Sequence, residues 1–598
     1  MSIQSKHFTN APENLVVESL QGLCSLNPQI ALDVADKVVY VANPDRSKVA
    51  LICGGGSGHE PAHAGFVGDG MLTAAACGSI FASPNASQVR RAIQLTESDK
   101  GAVIIVKNYT GDILNFGLAK EQYAALHPDR ADRVKFVIVS DDVAVGKTQG
   151  KIVGRRGLAG TCLVYKIAGA LAKRGGSLDE VYNIAQYVAS HVGTIGVGLE
   201  HCHVPGTAAG ESHLKASEIE IGMGIHNEPG HRRLSPVPPL SELIPQLLEL
   251  LTSTTDPERS FLPFTGKDRL VLLVNDLGGT SELEMTAIVR ETRIALEVQG
   301  YTIERVLSGT FMTSLNMPGF SITVLLLPPA SVSDAPAASL LLSLLDEKPE
   351  VPGWKWSAGS QPLPAAEQIK QTQGTAPVAA VRGGATLRAA DPGAFVAAVR
   401  RACAAVVQAE PELTRMDSIA GDGDCGLTLK DGANGVLRET DSGRISGEDV
   451  VASVIAVSRV AEEQMGGTSG ALYSIFFSAL AQGLQSTHSG SANTLTPAHW
   501  SRALSAALEQ LYTYTRARPP SRTLVDPLDA FVRVLSGSDG ADFGGAVKAA
   551  GDAAVRTRDL EAKAGRSAYV EGDRLRSEQV PDPGAWGVKA ILEGLLAR

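Results

Sequence analysis

The first candidate for chemistry is a run of three glycines, Gly54–Gly56, followed directly by Ser57, Gly58 and His59. Glycine allows backbone amides to approach a small polar ligand closely, and the His59 imidazole can donate or accept a hydrogen bond. A tight structural turn with an incidental histidine explains the same residues equally well. The run therefore indicates a binding element only if other segments point to the same ligand.

Two further segments carry groups suited to acid–base or nucleophilic chemistry. Lys107 and Asp112 flank a short polar stretch, and a positioned carboxylate that deprotonates a hydroxyl typically contributes about 10²–10⁴-fold to a rate. His226 lies among glycines, between Gly224 and Gly230, and an imidazole can attack a carbonyl as a nucleophile. A solvated turn and a histidine held in a loop are the structural alternatives for these two segments.

Three aspartates in the last third of the chain, Asp417, Asp422 and Asp424, are interleaved with glycine. Carboxylates this close would repel one another and any phosphate. Mg²⁺ resolves the conflict, because it binds carboxylates together with phosphate oxygens. The pattern lacks the alternating acidic positions and the distal glutamate of an EF-hand. It predicts a magnesium site, with a solvated acidic turn as the alternative.

Glycine and hydroxyl residues precede a helix that the pattern predicts to begin near Ala471. Amides at a helix N-terminus bind anions, so Thr468 and Ser469 are candidates for contact with phosphate. Cations and turn residues follow further along the chain, in the segments Arg522–Leu524, Lys563–Tyr569 and Asp582–Gly584.

Two other pattern matches are rejected. The segment His59–His63 fits the H-E-x-x-H pattern of zinc proteases, but that motif needs a continuous helix, which Pro61 would interrupt. Gly146–Thr148 resembles the end of a phosphate-binding loop. The position that requires glycine is Asp141, however, and its carboxylate would repel phosphate.

Buried strands must position these side chains. Five apolar runs are predicted as strands buried on both faces, and ligands of α/β sheets gather at strand ends. The alternation of strands and helices predicts two α/β subdomains, residues 1–190 and 191–345. The five predicted strands are Val49–Ile52, Val103–Val106, Val134–Val139, Leu270–Val274 and Ile322–Leu327.

Composition changes after the second subdomain. Residues 346–390 are rich in Pro, Gly, Ser, Gln and Ala without a sustained period, which is typical of a linker. Residues 391–598 have Ala- and Leu-rich helical spacing and few β-branched runs, so they are predicted to form an all-α domain. The most regular helical patterns are Ala394–Val407, Val450–Gln464, Ala471–Leu484 and Trp500–Tyr514.

The whole chain has the composition of a soluble, multidomain protein. Its 598 residues exceed what one core accommodates, and its net charge of −10 argues against a nucleic-acid partner. Seven scattered cysteines without a CxxC pair indicate reduced thiols. The sequence shows no signal peptide and no membrane-spanning run, so we expect a cytoplasmic protein with no membrane partner.

Taken together, the motifs resemble a known family. The segments GGGSGHEPAHAGFVGDG, IVKNYTGDILNFGLA, GRRGLAGT and EIGMGIHNEPG are similar to the substrate-binding domain of dihydroxyacetone kinases. The segments GDGDCG, GGTSGALYS, GRSAY and DPGA are similar to the nucleotide-binding domain of the same kinases. The resemblance implies ATP-dependent phosphorylation of dihydroxyacetone and D-glyceraldehyde, with ATP and Mg²⁺ as cofactors. Because both halves are fused in one chain by a long linker, the expected form exchanges ATP and is a homodimer.

For the first domain, the resemblance implies that the substrate carbonyl forms a covalent hemiaminal with the imidazole of His226. This bond would select short ketoses and aldoses over glycerol, which has no carbonyl. His59 and Asp112 would give acid–base assistance to the attacking hydroxyl. The residues implied to line the substrate are Gly56, Ser57, Gly58, His59, Lys107 and Asp112.

For the second domain, the resemblance implies an all-helical barrel with two Mg²⁺ ions on Asp417, Asp422 and Asp424. The residues implied to contact ATP are Asp422, Gly423, Asp424, Cys425, Thr468, Ser469, Thr523, Leu524, Asp582, Pro583 and Gly584.

Three positions depart from the pattern of many relatives. Asn227 occupies a place where glycine is usual, and its side chain is expected to narrow the substrate pocket. Pro520 and Ser521 replace Gly-Asp and are expected to change the shape of a nucleotide loop. Cys425 replaces the histidine of many bacterial relatives, as in eukaryotic ones.

Two other functions are compatible with the sequence. Animal relatives also split FAD into AMP and cyclic FMN at the same nucleotide site. A carbonyl-binding signalling protein without turnover is the non-enzymatic alternative, and retention of all three aspartates argues against it.

Overall fold

The computed structural model describes residues 5–208, 212–329, 331–332, 334–365, 367, 386–487, 493–563, 575 and 577–597. The chain divides into two compact units, Met1–Ala376 and Pro377–Arg598. Within the described ranges, no helix combines the length and apolar character that crossing a bilayer requires.

The first unit contains two six-stranded sheets. The strands of the first sheet are β1 (Ile30–Asp33), β2 (Val38–Val41), β3 (Ala50–Ser57), β4 (Ala74–Ile80), β5 (Ala102–Lys107) and β6 (Val134–Val139). They follow the order β1-β2-β4-β3-β5-β6. The four strands β3 to β6 are parallel, so the carboxyl ends of β3 and β5 meet at one edge, while β1 and β2 are antiparallel additions.

The second sheet is mainly antiparallel. Its strands are β7 (Val192–Gly198), β8 (Ile219–Ile221), β9 (Arg232–Leu234), β10 (Arg269–Asp276), β11 (Thr302–Gly309) and β12 (Gly319–Leu326). They follow the order β11-β10-β12-β7-β8-β9, in which only the pairing of β10 with β11 is parallel.

One buried helix joins the two sheets. The helices of the first unit are α1 (Leu15–Leu26), α2 (Ala86–Leu95), α3 (Thr110–Leu126), α4 (Gly160–Lys173), α5 (Leu178–Ser190), α6 (Leu240–Thr252), α7 (Glu282–Val298) and α8 (Ala338–Asp346). Almost every residue of α4 is buried, because it contacts β3 and β5 on one side and β7 and β12 on the other. A helix that is apolar all round is expected in such a place. The two sheets therefore share a single core.

The five predicted strands are present, with differences at their ends and faces. All but β6 extend one to five residues beyond the predicted apolar run. Only three of the six residues of β6 are buried, and Ile138 is exposed, so the strand is not buried on both faces as predicted. Strand β4 is absent from the predicted set, because three of its seven residues are alanine and only one, Ile80, is β-branched. Its burial between β2 and β3 outweighs that weak propensity.

Part of the predicted linker is packed against the first unit. The Trp354 ring lies 5.2 Å from Phe311 and 6.2 Å from Phe66, both of which are core residues. The amide of Gly353 donates a hydrogen bond of 2.7 Å to the carbonyl oxygen of Gly65. The residues around 349–365 are therefore anchored, despite a composition typical of flexible chain.

The second unit is helical, and its described residues contain no β-strand longer than an isolated bridge. Its helices are α9 (Pro392–Ala420), α10 (Cys425–Asp441), α11 (Val450–Val460), α12 (Gly467–Thr487), α13 (Pro497–Tyr514), α14 (Val525–Gly537), α15 (Phe543–Arg556) and α16 (Pro583–Leu596). Each helix contacts the next, and α16 contacts α9. The ring of contacts surrounds an apolar cavity of about 540 Å³. The predicted fold class, α/β followed by all-α, is confirmed.

Candidate active site

The first sheet brings the glycine-rich segment and the Lys107–Asp112 segment to one edge. Strand β5 ends at Lys107, and helix α3 begins at Thr110, so Asp112 lies in the first turn of α3. Strand β3 ends at Ser57, beside these residues. Lys107 is 1% exposed and Asp112 is 3% exposed. The predicted cation and carboxylate are thus buried next to the glycine run, which argues against a solvated turn.

Two glycines of the run allow the backbone to pass close to Phe81 and Ala82. A Cβ atom on Gly56 would lie 2.7 Å from the amide nitrogen of Ala82, and one on Gly58 would lie 2.7 Å from Phe81 Cε1. Gly58 also has a φ of +104°, which favours glycine. The backbone here can follow its path only without side chains.

The second sheet supplies His226, on the loop that follows β8. Its Nε2 atom lies 3.1 Å from Nε2 of His59, although 167 positions separate the two residues. The centroid of the His226 ring lies 4.7 Å from that of the Tyr109 ring and 5.1 Å from that of the Phe81 ring, and both contacts have edge-to-face geometry. His226 remains 20% exposed, so a small molecule can reach it. The structure therefore brings the three predicted segments together.

Glu228 orients the His226 imidazole, a role that the sequence analysis missed. Its Oε1 atom accepts a hydrogen bond of 2.9 Å from His226 Nδ1, and its Oε2 atom accepts one of 2.8 Å from the His226 amide. Burial acts to raise the pKa of Glu228, but the bonds from His226 and the charge of Arg156 lower it to about 2. Glu228 is therefore ionised at neutral pH. The spacing of a carboxylate two positions after the histidine was the available signal.

The environment of His59 favours its neutral form. Its Nδ1 atom lies 2.8 Å from the carbonyl oxygen of Thr313. Complete burial, the charge of Lys107 and the neighbouring His226 hold the pKa of His59 well below its ordinary value. Burial also raises the pKa of Asp112, against the opposing effects of Lys107 and of a 2.5 Å hydrogen bond from Ser83. A base with a raised pKa is suited to accept a hydroxyl proton.

The expectation that Asn227 narrows the pocket is wrong. Its Oδ1 atom accepts a 2.9 Å hydrogen bond from the amide of Cys202, and its Nδ2 atom donates a 3.0 Å bond to the carbonyl oxygen of Cys202. The backbone of Asn227 has a φ of +62°, in the left-handed region where asparagine is enriched among non-glycine residues. The residue thus ties the His226 loop to the segment around Cys202.

We therefore expect Asn227→Ala to destabilise the first unit by about 1–3 kcal/mol, because two hydrogen bonds are lost and alanine is strained at positive φ. Asn227→Gly loses the same bonds without the strain and should cost less. Chemical unfolding measures both variants. A rise in kcat/KM for glyceraldehyde in Asn227→Gly, without loss of stability, would contradict this account.

Both rejected motifs are accounted for by other contacts. The segment His59–His63 forms bends and turns that lead into a short 3₁₀ turn, Ala64–Phe66, and not the continuous helix that a zinc protease needs. The Asp141 carboxylate accepts hydrogen bonds from the amides of Leu158 and Gly160, at 2.6 and 2.9 Å. Both of its carboxylate oxygens are thus bonded to backbone amides of this chain.

The second unit brings together the three aspartates of the predicted metal site. Asp417 lies near the end of α9, and Asp422 and Asp424 follow in the loop before α10. One carboxylate oxygen from each lies within 4.8 Å of the others. Asp417 is buried and its Oδ2 atom accepts 3.0 Å hydrogen bonds from the amides of Gly423 and Cys425, whereas Asp422 and Asp424 are exposed. This hydrogen-bonded loop holds three hard oxygen donors together, an arrangement that fits Mg²⁺.

Helix α12 begins at Gly467, four residues before the predicted start. Gly466 and Gly467 both have positive φ, so the chain turns sharply into the helix. Thr468 and Ser469 consequently lie in its first turn, where free amides and the helix dipole favour an anion. The structure thus has Thr468 and Ser469 at a helix N-terminus, as predicted. Because α12 begins earlier than predicted, both residues belong to the helix itself.

Two of the remaining predicted nucleotide segments, Arg522–Leu524 and Asp582–Gly584, meet at the start of α16. Asp582 caps α16 through a 2.8 Å bond from the amide of Ala585, and a Cβ atom on Gly584 would lie 3.5 Å from that of Leu524. Burial raises the pKa of Asp582 to about 6. Burial, with the charges of Asp417 and Asp582, raises the pKa of Cys425 to about 12. These charge interactions connect the capping residue to the aspartate loop.

The loop that departs from the family pattern is held by Asp526. The amides of Ser521 and Thr523 donate to its carboxylate at 2.9 and 2.8 Å. Arg522 is fully buried and donates to the carbonyl oxygen of Val580 at 2.8 Å. The effect of the departure on ATP affinity stays a prediction, and the segment GRSAY, residues 565–569, lies outside the described residues.

Two family models match the chain, the Dak1 domain over residues 21–347 and the DAK2 domain over residues 419–597. A dihydroxyacetone kinase of Komagataella pastoris is 42% identical, over 99% of this chain and 98% of the relative. A triokinase/FMN cyclase of Homo sapiens is 38% identical, over 99% of both chains.

A solved structure agrees with these matches. The crystal structure of the dihydroxyacetone kinase from C. freundii in complex with AMP-PNP and Mg²⁺ is 31% identical, with a TM-score of 0.62, and covers 99% of both chains. The matches therefore extend over both units of the chain, and the protein belongs to the dihydroxyacetone kinase family.

Proposed function

We propose that this protein transfers the γ-phosphoryl group of ATP to dihydroxyacetone and to D-glyceraldehyde. The observation that carries the proposal is the His59–His226–Glu228 arrangement, in which an accessible imidazole is oriented by a carboxylate and faces a second imidazole. Such a group can bind a carbonyl covalently. The membership of this protein in a kinase family supports the choice of ATP as phosphoryl donor.

Hydrogen bonding defines the protons on the two imidazoles. Nδ1 of His59 faces a carbonyl oxygen and Nδ1 of His226 faces a carboxylate, so both atoms carry a proton. The two Nε2 atoms then face each other at 3.1 Å, and Nε2 of His226 carries the lone pair that can attack a carbonyl.

Hemiaminal formation uses this lone pair. The lone pair on His226 Nε2 forms a bond to the carbonyl carbon, the carbonyl π bond breaks, and the oxygen takes up a proton from solvent. The positive charge of the substituted His226 ring lies beside the ionised carboxylate of Glu228. His59 stays neutral throughout, as its lowered pKa favours.

Asp112 is the proposed base for phosphoryl transfer. The substrate O–H bond breaks and its proton passes to the carboxylate. The hydroxyl oxygen then bonds to the γ-phosphorus, and the bond to the bridging oxygen breaks to release ADP. Mg²⁺ on Asp417, Asp422 and Asp424 would neutralise the phosphate charge when bound. We assign ATP contact to the first turn of α12, to Thr523 and Leu524, and to Asp582–Gly584, because these segments present helix N-termini or adjoin the aspartate loop.

The choice of acceptor tests the proposal. ADP release is measured with dihydroxyacetone, D-glyceraldehyde and glycerol under the same conditions. We expect turnover with the two carbonyl compounds and at least about 10²-fold less with glycerol, because glycerol cannot be fixed in position by a covalent bond. Comparable turnover of glycerol would overturn the carbonyl-capture mechanism.

A second activity is proposed because the Homo sapiens relative is named a triokinase/FMN cyclase. The aspartate loop could also hold a divalent metal beside the diphosphate of FAD. Incubation with FAD and Mn²⁺ should then produce AMP and cyclic FMN, which chromatography separates. The homodimer and the cytoplasmic location stay predictions.

A further inference from the structure

A third histidine, His63, borders the active site and has no part in the mechanism described above. It is 4% exposed, and its Nε2 atom is buried without a hydrogen-bond partner in the described part of the chain. A buried polar atom without a partner is costly and calls for an explanation. Its Nδ1 atom, by contrast, lies 3.2 Å from the sulfur of Cys53.

The unpartnered Nε2 atom lies on the same side of Gly55 as the proposed base. A Cβ atom placed on Gly55 would be 3.4 Å from His63 Nε2, 3.5 Å from Asp112 Oδ2 and 3.6 Å from Lys107 Cε. These three side chains therefore converge above the glycine. The other carboxylate oxygen of Asp112, Oδ1, is already bonded to Ser83. Oδ2 is the oxygen left for proton transfer.

Cys53 selects the tautomer of His63. Burial raises the pKa of the Cys53 thiol, so the sulfur keeps its proton. Burial and the charge of Lys107 hold the pKa of His63 well below its ordinary value, so the imidazole is neutral. The nearest acceptor for the S–H group is His63 Nδ1, because the alternative, the Gly54 carbonyl oxygen, is 3.9 Å away. With Nδ1 as acceptor, the single ring proton is on Nε2.

We propose that His63 is a positioning residue for Asp112: the Cys53 thiol holds its imidazole in the Nε2–H form, which favours the ionised carboxylate. The opposite tautomer would place a nitrogen lone pair, and no donor, on the side of Gly55 where Asp112 Oδ2 lies. The inference rests on the proposed function, because it concerns the base of the phosphoryl transfer.

The test is the pH dependence of kcat/KM for dihydroxyacetone, which reports the pKa values of the free enzyme. Activity falls at low pH when Asp112 becomes protonated. Because His63→Ala removes a donor near the carboxylate, the acid limb should move to higher pH by about one unit. His63→Gln retains an N–H donor and should restore at least half of that shift.

Two Cys53 variants form a matched pair for the tautomer. Cys53→Ser keeps a hydroxyl proton for His63 Nδ1 and should leave the acid limb in place. Cys53→Ala frees the imidazole to take either tautomer and should move the limb in the same direction as His63→Ala. Lys107, His226 and Ser83 also face Asp112, and His59, Lys107 and the Tyr165 ring also lie near His63. These groups are unchanged in every variant, so differences between variants report on His63.

The outcomes separate this inference from the proposed function. If wild-type protein traps no triose and releases no ADP, the proposed function fails. If wild-type protein does both, but His63→Ala and Cys53→Ala lower kcat/KM without moving the acid limb, His63 is merely structural and the inference is overturned. Should His63→Ala fail to fold, the His63→Gln and Cys53 variants still decide the question.

Discussion

His226→Ala is expected to lower kcat/KM for dihydroxyacetone by at least about 10³-fold. The variant loses the covalent bond that would hold the substrate hydroxyl in place, and fixing a reactant in position can be equivalent to an effective concentration of roughly 10⁵ M or more. It also loses the partner of His59 and of Glu228. The measurements are ADP release and native mass spectrometry, in which wild-type protein should carry the added mass of one triose.

The matched control is His127→Ala, at the opposite end of α3 from Asp112. It makes the same substitution in the same unit and should leave both turnover and the triose adduct unchanged. ATP binding should persist in His226→Ala, since the predicted nucleotide-binding segments lie in the second unit. Full turnover by His226→Ala, or an adduct that survives the substitution, would remove the basis of the proposal.

The second large effect is expected from Asp422→Asn combined with Asp424→Asn. Amide oxygens are neutral, so the loop would no longer offset the charge of Mg²⁺, and metal-dependent ATP binding should be lost. We expect kcat to fall by at least about 10³-fold, because charge neutralisation is a main source of catalysis in phosphoryl transfer. Calorimetric titration with MgATP measures binding, and coupled ADP release measures turnover.

The triose adduct distinguishes loss of the metal site from loss of folding. In the double variant, His226 should still trap dihydroxyacetone, because the first unit is unaltered. Asp431→Asn, an exposed aspartate on α10, changes the same residue type in the same helical unit and should behave as wild type. Normal MgATP affinity in the double variant would show that the aspartates do not hold the metal.

The sequence alone determined the residue types of both sites. The glycine run, the Lys107–Asp112 segment and the three aspartates are local patterns, since glycine and clustered carboxylates limit the chemistry that a short segment can do. The two fold classes were also accessible, because β-branched runs and helical spacing are properties of neighbouring residues. Resemblance to a family then gave these patterns a common substrate.

Contacts between distant segments could not be read from the same patterns. His59 and His226 belong to different sheets, and only the shared core around α4 places their Nε2 atoms 3.1 Å apart. The partnership of His63 with Cys53 depends likewise on the turn that follows β3. Strand β4 escaped prediction because its burial, and not its alanine-rich composition, stabilises it.

The direction of a side chain was also decided by tertiary structure alone. Asn227 was expected to narrow the pocket because it is adjacent to His226 in sequence, but its side chain is hydrogen-bonded to the backbone of Cys202. Around Trp354, a linker-like composition conceals a segment that is anchored in the core. Composition and spacing record what a residue can do, whereas its partners depend on the path of the whole backbone, which only the packed structure determines.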